Sequence, residues 1–401
     1  MHRRRNESAR GSGKLLAGVA LALASGILSL ALVEIVLRGV GIDRLPVIWA
    51  NEMGTGYVDS GDGIYRFDSA LNMERMRPHY ERGMFFNGYH WRHAGDWMGF
   101  RNPVDRHRVD IALIGDSMVY GHGLDESQTI RSDLERIAHR PVANLGEQSA
   151  AMDYEYEILK HDAARLNPPW VFIFFLNNDI SDLESRLTET EMRRFLALPI
   201  EDHTTRYFDL KPPRHFSRSA GRLRNLYVVR SALMFKHLMQ GRIAKLQEWR
   251  RRNPVAGAGA EIAVPADISG VKGTAAGGEM SDQPAWMSEP PFAGDNFKQL
   301  AMEFHLRAIL KANDFANRRG MRLTYVFIAV PQPDDELFEP IIRDYCAANH
   351  IQFFSLRPAL ERARRAGIDI YLPGDGHFSA QGAAVTARTL ADQFHLRQTA
   401  R

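Results

Sequence analysis

The sequence predicts a three-layer α/β fold, in which a parallel sheet of about five strands lies between two layers of helices. Two observations lead to this prediction. Short apolar runs alternate along the chain with helix-like segments, and they read VDIALIG, PVANL, WVFIFFL, RLTYVFIAV and HIQFFSL. The runs are apolar at consecutive positions, which is typical of strands buried on both faces of a parallel sheet. A chain of 401 residues that is 45% hydrophobic can bury a core of this size.

Charge and cysteine content exclude several classes of protein. Lys and Arg total 51 and Asp and Glu total 48, so the net charge of +3 gives no reason to expect a nucleic-acid partner. Cys346 is the only cysteine, which rules out a disulfide within the chain. Because it lies in a helix-like segment, we expect a small core residue rather than a reactive thiol.

The N-terminal segment has the character of a membrane anchor. Residues 15–37 read LLAGVALALASGILSLALVEIVL, with Glu34 as the only charge. A helix of this length, at about 1.5 Å per residue, crosses a bilayer core. Residues 1–14 form a basic arm, which the positive-inside rule keeps in the cytoplasm. We therefore expect a single-pass protein of the cell (inner) membrane whose main domain is periplasmic or extracellular.

A cleaved signal peptide is the alternative for the same segment. The Ala-Leu-Ala at 22–24 has the small residues of a cleavage site. We favour an uncleaved anchor because the apolar run continues well past that point. Glu34 is then expected near the far end of the helix, paired with Arg38 one turn later.

The rest of the chain divides into a lead-in segment at 38–100 and a main domain at 101–401. The lead-in is rich in Gly, Asn, Arg and aromatic residues, and we expect it to pack on the main domain. The regular alternation breaks at about 190–300, which predicts an insertion. Apolar residues at helical spacing predict an amphipathic helix over 223–252; we expect its basic face to be solvated on a packed helix rather than to contact anionic lipid. The Gly-, Ala- and Pro-rich run at 254–279 predicts a flexible loop.

Polar residues follow the first and third predicted strands and precede the last helix. In an open parallel sheet the ligand binds where the strands end, and Ser117 and Asn178 lie at that edge. Asp375 and His377 share a loop before a helix that Ser379 is expected to cap. An Asp two residues before a His can bond Nδ1 and leave Nε2 to accept a proton from a serine hydroxyl. His122 lies between two glycines, which favours a mobile turn over a second base.

With these residues the sequence resembles the SGNH (GDSL-like) hydrolase family. Four short blocks appear in that family's order: GDS at 115–117, NLGEQS at 144–149, NND at 177–179 and DGH at 375–377. The resemblance implies a flavodoxin-like fold, with Ser117 as nucleophile, His377 as base and then acid, and Asp375 orienting the histidine. It also implies oxyanion donors in the backbone N–H of Ser117, a backbone N–H of the second block at Ser149, and the side chain of Asn178. Supporting positions are Asp116, Gly146 and Asp179.

The blocks depart from the family pattern at three positions. Ser149 and Leu176 stand where the family usually has glycine, and Gly374 stands where it usually has the aspartate. The two-residue spacing of Asp375 and His377 resembles that of SGNH-like domains in envelope polysaccharide O-acetyltransferases and in some membrane-anchored relatives. The choice between hydrolase and transferase stays open on this ground.

The sequence thus predicts a membrane-anchored serine esterase or deacylase acting on acyl esters, most plausibly O-acetyl groups, of envelope glycan or lipid. One alternative is an O-acyltransferase for an extracytoplasmic polysaccharide, working beside a membrane acyltransferase. A second alternative is a catalytically inactive glycan-binding or scaffold protein. No cofactor is expected, and no metal, because the site residues lack HExxH or similar ligand spacing. Taken singly, Ser117 would be read as a helix N-cap and Asn178 and Asp179 as loop-shaping residues.

Overall fold

The computed structural model describes residues 2–40, 64–86, 89–206, 226–229, 294–330 and 333–397, with isolated positions at 231, 232, 235, 239, 287 and 292. The predicted flexible loop at 254–279 lies outside these residues, as does most of the predicted helix at 223–252. Nine strands are present in the described part: β1 Tyr65–Asp68, β2 Met73–Met76, β3 Glu81–Phe86, β4 Tyr89–Ala94, β5 Ile111–Gly115, β6 Val142–Gly146, β7 Trp170–Phe175, β8 Arg322–Phe327 and β9 Gln352–Ser355.

The helices of the described residues are numbered in chain order. They are α1 His2–Val40, α2 Ser117–Tyr120, α3 Ile130–Ala138, α4 Met152–Ile158, α5 Ala164–Leu166, α6 Asn178–Arg186, α7 Glu189–Leu196, α8 Asn296–Arg318, α9 Pro333–Ala348, α10 Arg357–Arg365 and α11 Ala380–Gln393. A π-helical turn, Leu159–Ala163, joins α4 to α5.

Five of the strands form one parallel sheet in the order β6-β5-β7-β8-β9. These are the five strands predicted from the apolar runs, and the predicted fold class is confirmed. β5 is buried at all five positions, as a strand covered on both faces must be. The chain leaves β5 for β6 on one side and returns to β7 on the other, so the strand order reverses at β5. Ligands bind outside the carboxyl ends of strands at such a reversal.

Two hydrophobic cores lie on opposite faces of the sheet. One contains side chains of α3, α10 and α11, including Leu134, Leu360 and Leu390. The other contains side chains of α4, α6, α7 and α8. Cys346 is fully buried, and burial raises the pKa of its thiol to about 12. The expectation of an inert core cysteine is confirmed.

The described part of the lead-in forms two antiparallel hairpins, β1-β2 and β3-β4. Their buried side chains, among them Met76, Met84 and Trp91, belong to the same core as α4 and α8. The hairpins therefore lie against the main domain on one side of the sheet.

Helix α1 contains an apolar stretch, Ala17–Val40, with a mean hydropathy of 2.3, which is long and apolar enough to cross a membrane. The expected pair between Glu34 and Arg38 is confirmed at 2.7 Å. Glu34 also accepts a hydrogen bond from the backbone N–H of Val228 at 2.9 Å.

On the predicted amphipathic helix, Phe235 and Met239 are 63% and 40% exposed, and no described element covers them. The expectation of a packed apolar face is therefore wrong at these two positions.

Candidate active site

Ser117 sits on a tight turn that the end of β5 imposes. Asp116 caps helix α2, because its Oδ1 accepts a hydrogen bond from the backbone N–H of Met118 at 2.9 Å. The reading of Ser117 as the N-cap is therefore wrong, and Ser117 is the first helical residue. Gly115 allows the turn, since a Cβ there would meet Val119 Cγ2 at 2.6 Å. The result is a serine that is 6% exposed at the edge of the sheet.

Ser117, His377 and Asp375 are connected by hydrogen bonds in that order. Ser117 Oγ is 2.8 Å from His377 Nε2, across 260 positions of sequence. Asp375 Oδ1 accepts a hydrogen bond from His377 Nδ1, and its side chain is fully buried while that of His377 is 17% exposed. A second contact, 3.3 Å, joins Ser117 Oγ to Asp116 Oδ2. A carboxylate at Nδ1 fixes the tautomer that leaves Nε2 as proton acceptor.

The loop carrying Asp375 and His377 is shaped by two glycines. Gly374 has φ +72° and Gly376 has φ +91°, in the left-handed region that favours glycine. Gly374 stands where the family has its aspartate, and Asp375, one residue later, supplies the carboxylate instead. Helix α11 follows, and Ser379 caps it by accepting from the N–H of Gly382 at 3.1 Å, as expected.

The second block crosses directly behind the serine turn. A Cβ on Gly146 would lie 2.3 Å from the backbone nitrogen of Tyr120, so only glycine fits there. Asn144 Oδ1 accepts from the N–H of Gly146 at 2.9 Å. Ser149 has φ +58°, and its carbonyl accepts from Arg186 Nη1 at 2.5 Å. The backbone there lies in the left-handed region that favours glycine, and Ser149 adopts it at a cost of about 1–2 kcal/mol.

Asn178 occupies the first turn of α6, close to the serine. Its Nδ2 donates to Asp182 Oδ2 at 3.0 Å, and its side chain also hydrogen-bonds the carboxyl group of Asp116. A bond from Asn178 to a substrate oxygen would replace one of these. Asp179 is fully buried, and its Oδ2 accepts from the N–H of Leu176 at 3.2 Å, which closes the turn after β7.

Three buried carboxyl groups lie beneath the serine. They belong to Asp116, Asp179 and Glu155, of which the sequence pattern did not indicate Glu155. Burial raises the pKa of all three, and repulsion between them adds to the rise for Asp179 and Glu155. Neither oxygen of Glu155 has a hydrogen-bond donor among the described residues. Burial thus disfavours negative charge on the carboxyl groups beneath the serine.

His122 is not part of a mobile turn, so that expectation is wrong. The side chain is 1% exposed and its ring stacks on that of His377, with centroids 4.0 Å apart and planes 18° from parallel. Gly121 and Gly123 have φ +85° and +74°, and a Cβ on either would meet a neighbouring side chain within 2.6 Å. The glycines thus allow close packing of a fixed loop. The Gly-His-Gly sequence alone cannot distinguish a mobile turn from a fixed, closely packed loop.

The lead-in and the first residue of the main domain contribute to the site in a way the sequence did not indicate. Arg101 is buried and donates to the carbonyls of Gly121 and Leu124, at 2.7 and 2.6 Å, and so holds both sides of His122. Tyr89 donates its hydroxyl to the carbonyl of Pro373 at 2.8 Å, next to the Asp375 loop. These contacts join residues distant in sequence, for which no local pattern exists.

One cluster of side chains has the composition of a metal site. His122, Asp375 and His377 each offer a ligand atom, all within 4.8 Å of one another. However, both ring nitrogens of His377 are already hydrogen-bonded, and the in-plane lone pairs of two stacked rings do not converge on one point. This geometry suits proton transfer rather than coordination.

The sequence matches no family model and no curated protein. Among solved structures, the chain is similar to a protein assigned to the lipolytic G-D-S-L family from Desulfitobacterium hafniense DCB-2, at 11% identity over 70% of this chain and 97% of that one, with a TM-score of 0.36. It is also similar to a GDSL-like lipase from Bacteroides thetaiotaomicron VPI-5482, at 10% identity over 71% and 87% of the two chains, with a TM-score of 0.33. Similarity at this level carries no information on function, which has to be inferred from the geometry of the site itself.

Proposed function

We propose that the protein is an SGNH-type serine esterase or deacylase that forms an acyl-enzyme on Ser117. The observation that carries this proposal is the 2.8 Å separation of Ser117 Oγ and His377 Nε2, with Asp375 bonded to the other ring nitrogen. A binding module has no need of a nucleophile, a base and an orienting carboxylate in one line. The position of the serine at the reversal of strand order supports the same conclusion.

The reaction follows from the geometry. Ser117 Oγ attacks the ester carbonyl while His377 Nε2 accepts the hydroxyl proton, and Asp375 stabilises the imidazolium that forms. The ester C–O bond then breaks, and the leaving alcohol takes the proton from Nε2. A water molecule attacks the acyl group with His377 again as base, which releases the acid and regenerates Ser117.

The negative oxygen formed in each step needs hydrogen-bond donors. We assign these to the backbone N–H groups of Ser117 and Ser149 and to the amide of Asn178, which exchanges one carboxyl partner for the substrate. Loss of one such donor typically lowers the rate by about 10²- to 10³-fold.

The proposed substrate is an acyl ester, most plausibly an O-acetyl group, of envelope glycan or lipid. Helix α1 supports this assignment, because an apolar stretch of 24 residues behind a basic arm would tether the enzyme to the cell membrane. The catalytic domain would then face the periplasm or the exterior, where such polymers are found.

The test is hydrolysis of a chromogenic acetate ester by the full chain in detergent. Ser117→Ala should abolish turnover and also abolish labelling by a serine-directed phosphonate. Ser185→Ala removes an exposed hydroxyl from α6 and should leave both unchanged. Turnover that persists in Ser117→Ala would overturn the proposal. A wild-type protein that is neither active nor labelled would instead favour a glycan-binding or scaffold role.

An O-acyltransferase is the second candidate, favoured by the two-residue spacing of Asp375 and His377. The same acyl-enzyme would pass its acyl group to a glycan hydroxyl instead of water, with a membrane acyltransferase supplying the donor. Incubation with an activated acetyl donor and glycan distinguishes the two activities. Acetylated glycan indicates transfer, and free acetate alone indicates hydrolysis.

A further inference from the structure

The stack of His122 on His377 is the closest ring contact that the described residues make with the proposed base. The centroids are 4.0 Å apart and the planes are 18° from parallel. Asp375 and Ser117 hold His377 at its two edges, through Nδ1 and Nε2. Bonds at the edges of a ring leave it free to tilt about the line that joins them. A flat partner on one face removes that freedom.

Three sets of contacts with described residues hold His122 itself in place. Its ring also contacts that of Trp91 in β4, with centroids 4.3 Å apart and the planes tilted by 51°. Its Nδ1 lies 3.1 Å from Gln148 Oε1, in the loop after β6. Arg101 fixes the backbone of the loop through the carbonyls of Gly121 and Leu124. His122 is therefore a rigid support.

The charge state of His122 suits that role. Burial first, and then repulsion from His377, lowers the pKa of His122 to about 3, although Asp375 and Gln148 act in the opposite direction and Arg101 adds to the decrease. The Nδ1 contact with an amide oxygen requires the proton on Nδ1. His122 thus stays neutral at physiological pH while His377 gains and loses a proton. The face of a neutral aromatic ring attracts a cation placed over it.

We propose that His122 is a positioning residue for His377: its neutral ring fixes the plane of the base, and its face stabilises the imidazolium that forms when Ser117 loses its proton. This inference rests on the proposed function. It predicts an effect on the chemical step rather than on substrate binding, since the stacked face lies away from the hydrogen bond to Ser117.

Two substitutions separate the ring from the rest of the side chain. His122→Ala removes the stack, whereas His122→Phe keeps a flat aromatic face and loses the bond to Gln148. His107→Ala is the matched control, because His107 also packs against a tryptophan, Trp97, at 4.8 Å, but on the exposed surface of the protein. Thermal melting of each variant reports whether it folds.

For His122→Ala we expect kcat on the acetate ester to fall by about 10- to 100-fold, the loss typical of a misplaced catalytic group, with KM within about twofold of wild type. His122→Phe should recover kcat to within about threefold, and His107→Ala should match wild type. Equal kcat values for His122→Ala and wild type would overturn the inference. So would a His122→Phe protein that melts normally but is as slow as His122→Ala.

A second measurement does not depend on turnover. The proton that His377 Nδ1 donates to Asp375 should give a low-field resonance in proton spectra of protein labelled with ¹⁵N-histidine. We expect this resonance in wild type, His107→Ala and His122→Phe, and its loss by solvent exchange in His122→Ala. If it persists in His122→Ala, the positioning role is wrong even where Ser117 proves catalytic. If Ser117→Ala keeps wild-type turnover, the proposed function fails while this resonance still tests the stack.

Discussion

Ser117 and His377 share one hydrogen bond, but the two sides of that bond are built differently. Ser117 is the first residue of α2, directly after the buried turn that ends β5, where Gly115 and Gly146 allow backbone and side chains to pack closely. His377 lies on a half-buried loop whose Gly376 has left-handed φ, yet a Cβ there would meet nothing within 4 Å. The serine side is fixed by packing, and the histidine side by individual contacts.

The difference shows which parts of the chain control each group. The serine turn depends on residues within about one βαβ unit of the sheet. The histidine depends on Asp375 next to it and on two partners far away, His122 in the loop after α2 and Tyr89 in β4. Substitutions at the serine side should therefore affect stability and activity together. Substitutions at the histidine side should affect activity with little change in stability.

The largest expected effect tests the histidine side. Asp375→Asn keeps the size of the side chain but favours the wrong tautomer of His377, so kcat should fall by about 10³- to 10⁴-fold. Thermal melting should change little. Asp392→Asn, which removes an exposed carboxylate paired with Arg397 on the surface, is the matched control for both measurements. Activity near wild type in Asp375→Asn would show that the histidine does not need this carboxylate.

A pair of glycine substitutions compares the two sides directly. Gly146→Ala would force a Cβ into the backbone of Tyr120, and overpacking of this kind costs about 1–3 kcal/mol of unfolding free energy. Gly376→Ala meets no atom and carries only the conformational cost of left-handed φ, about 1–2 kcal/mol. Urea unfolding and ester hydrolysis should show a loss of both properties for Gly146→Ala. For Gly376→Ala, the loss in hydrolysis rate, expressed as a free energy, should exceed the loss in unfolding free energy. The reverse order would contradict the comparison.

The smallest expected effect is a change in the pH dependence of stability. It concerns Glu147, which follows β6 on the serine side. Burial, opposed in part by Arg75, raises the pKa of Glu147 from 4.5 to about 8. The folded state then binds this proton more tightly than the unfolded chain does. The stabilising contribution of the Glu147 proton is complete below pH 4.5 and is lost as the pH rises toward 8. Glu147→Gln cannot ionise, so its unfolding free energy should fall less steeply than that of wild type across this range. Parallel slopes would show that Glu147 ionises normally.

The sheet and the positions of the motif blocks could be predicted because they depend on local patterns. Five consecutive-apolar runs indicate buried parallel strands, and parallel strands bring their carboxyl ends to one edge. That edge is where the structure has Ser117 and Asn178, with Asp375 and His377 brought to it by the last loop. The expectation that an Asp two residues before a His reaches Nδ1 likewise needs only local geometry.

The remaining features of the site depend on contacts that no local pattern encodes. Arg101 and Tyr89 bind carbonyl oxygens, which every residue carries, so sequence letters cannot indicate their partners. The glycines on either side of His122 do not distinguish a mobile turn from a tightly packed loop, because glycine is used in both. Glu155 looks like any polar residue on a helix until the fold places it among other carboxyl groups. The partners of the Asn178 amide depend in the same way on the folded arrangement.

The guanidinium of Arg101 has a practical consequence for anyone who trims this protein for crystallisation. A fragment that begins at residue 101 keeps Arg101 but removes the Arg92 carbonyl that it binds at 3.1 Å, as well as Trp91 and Tyr89. Such a fragment would retain the whole parallel sheet and all four motif blocks. We expect this fragment to be poorly soluble and to hydrolyse esters slowly. The shortest useful version of this protein should therefore start ahead of Ile64.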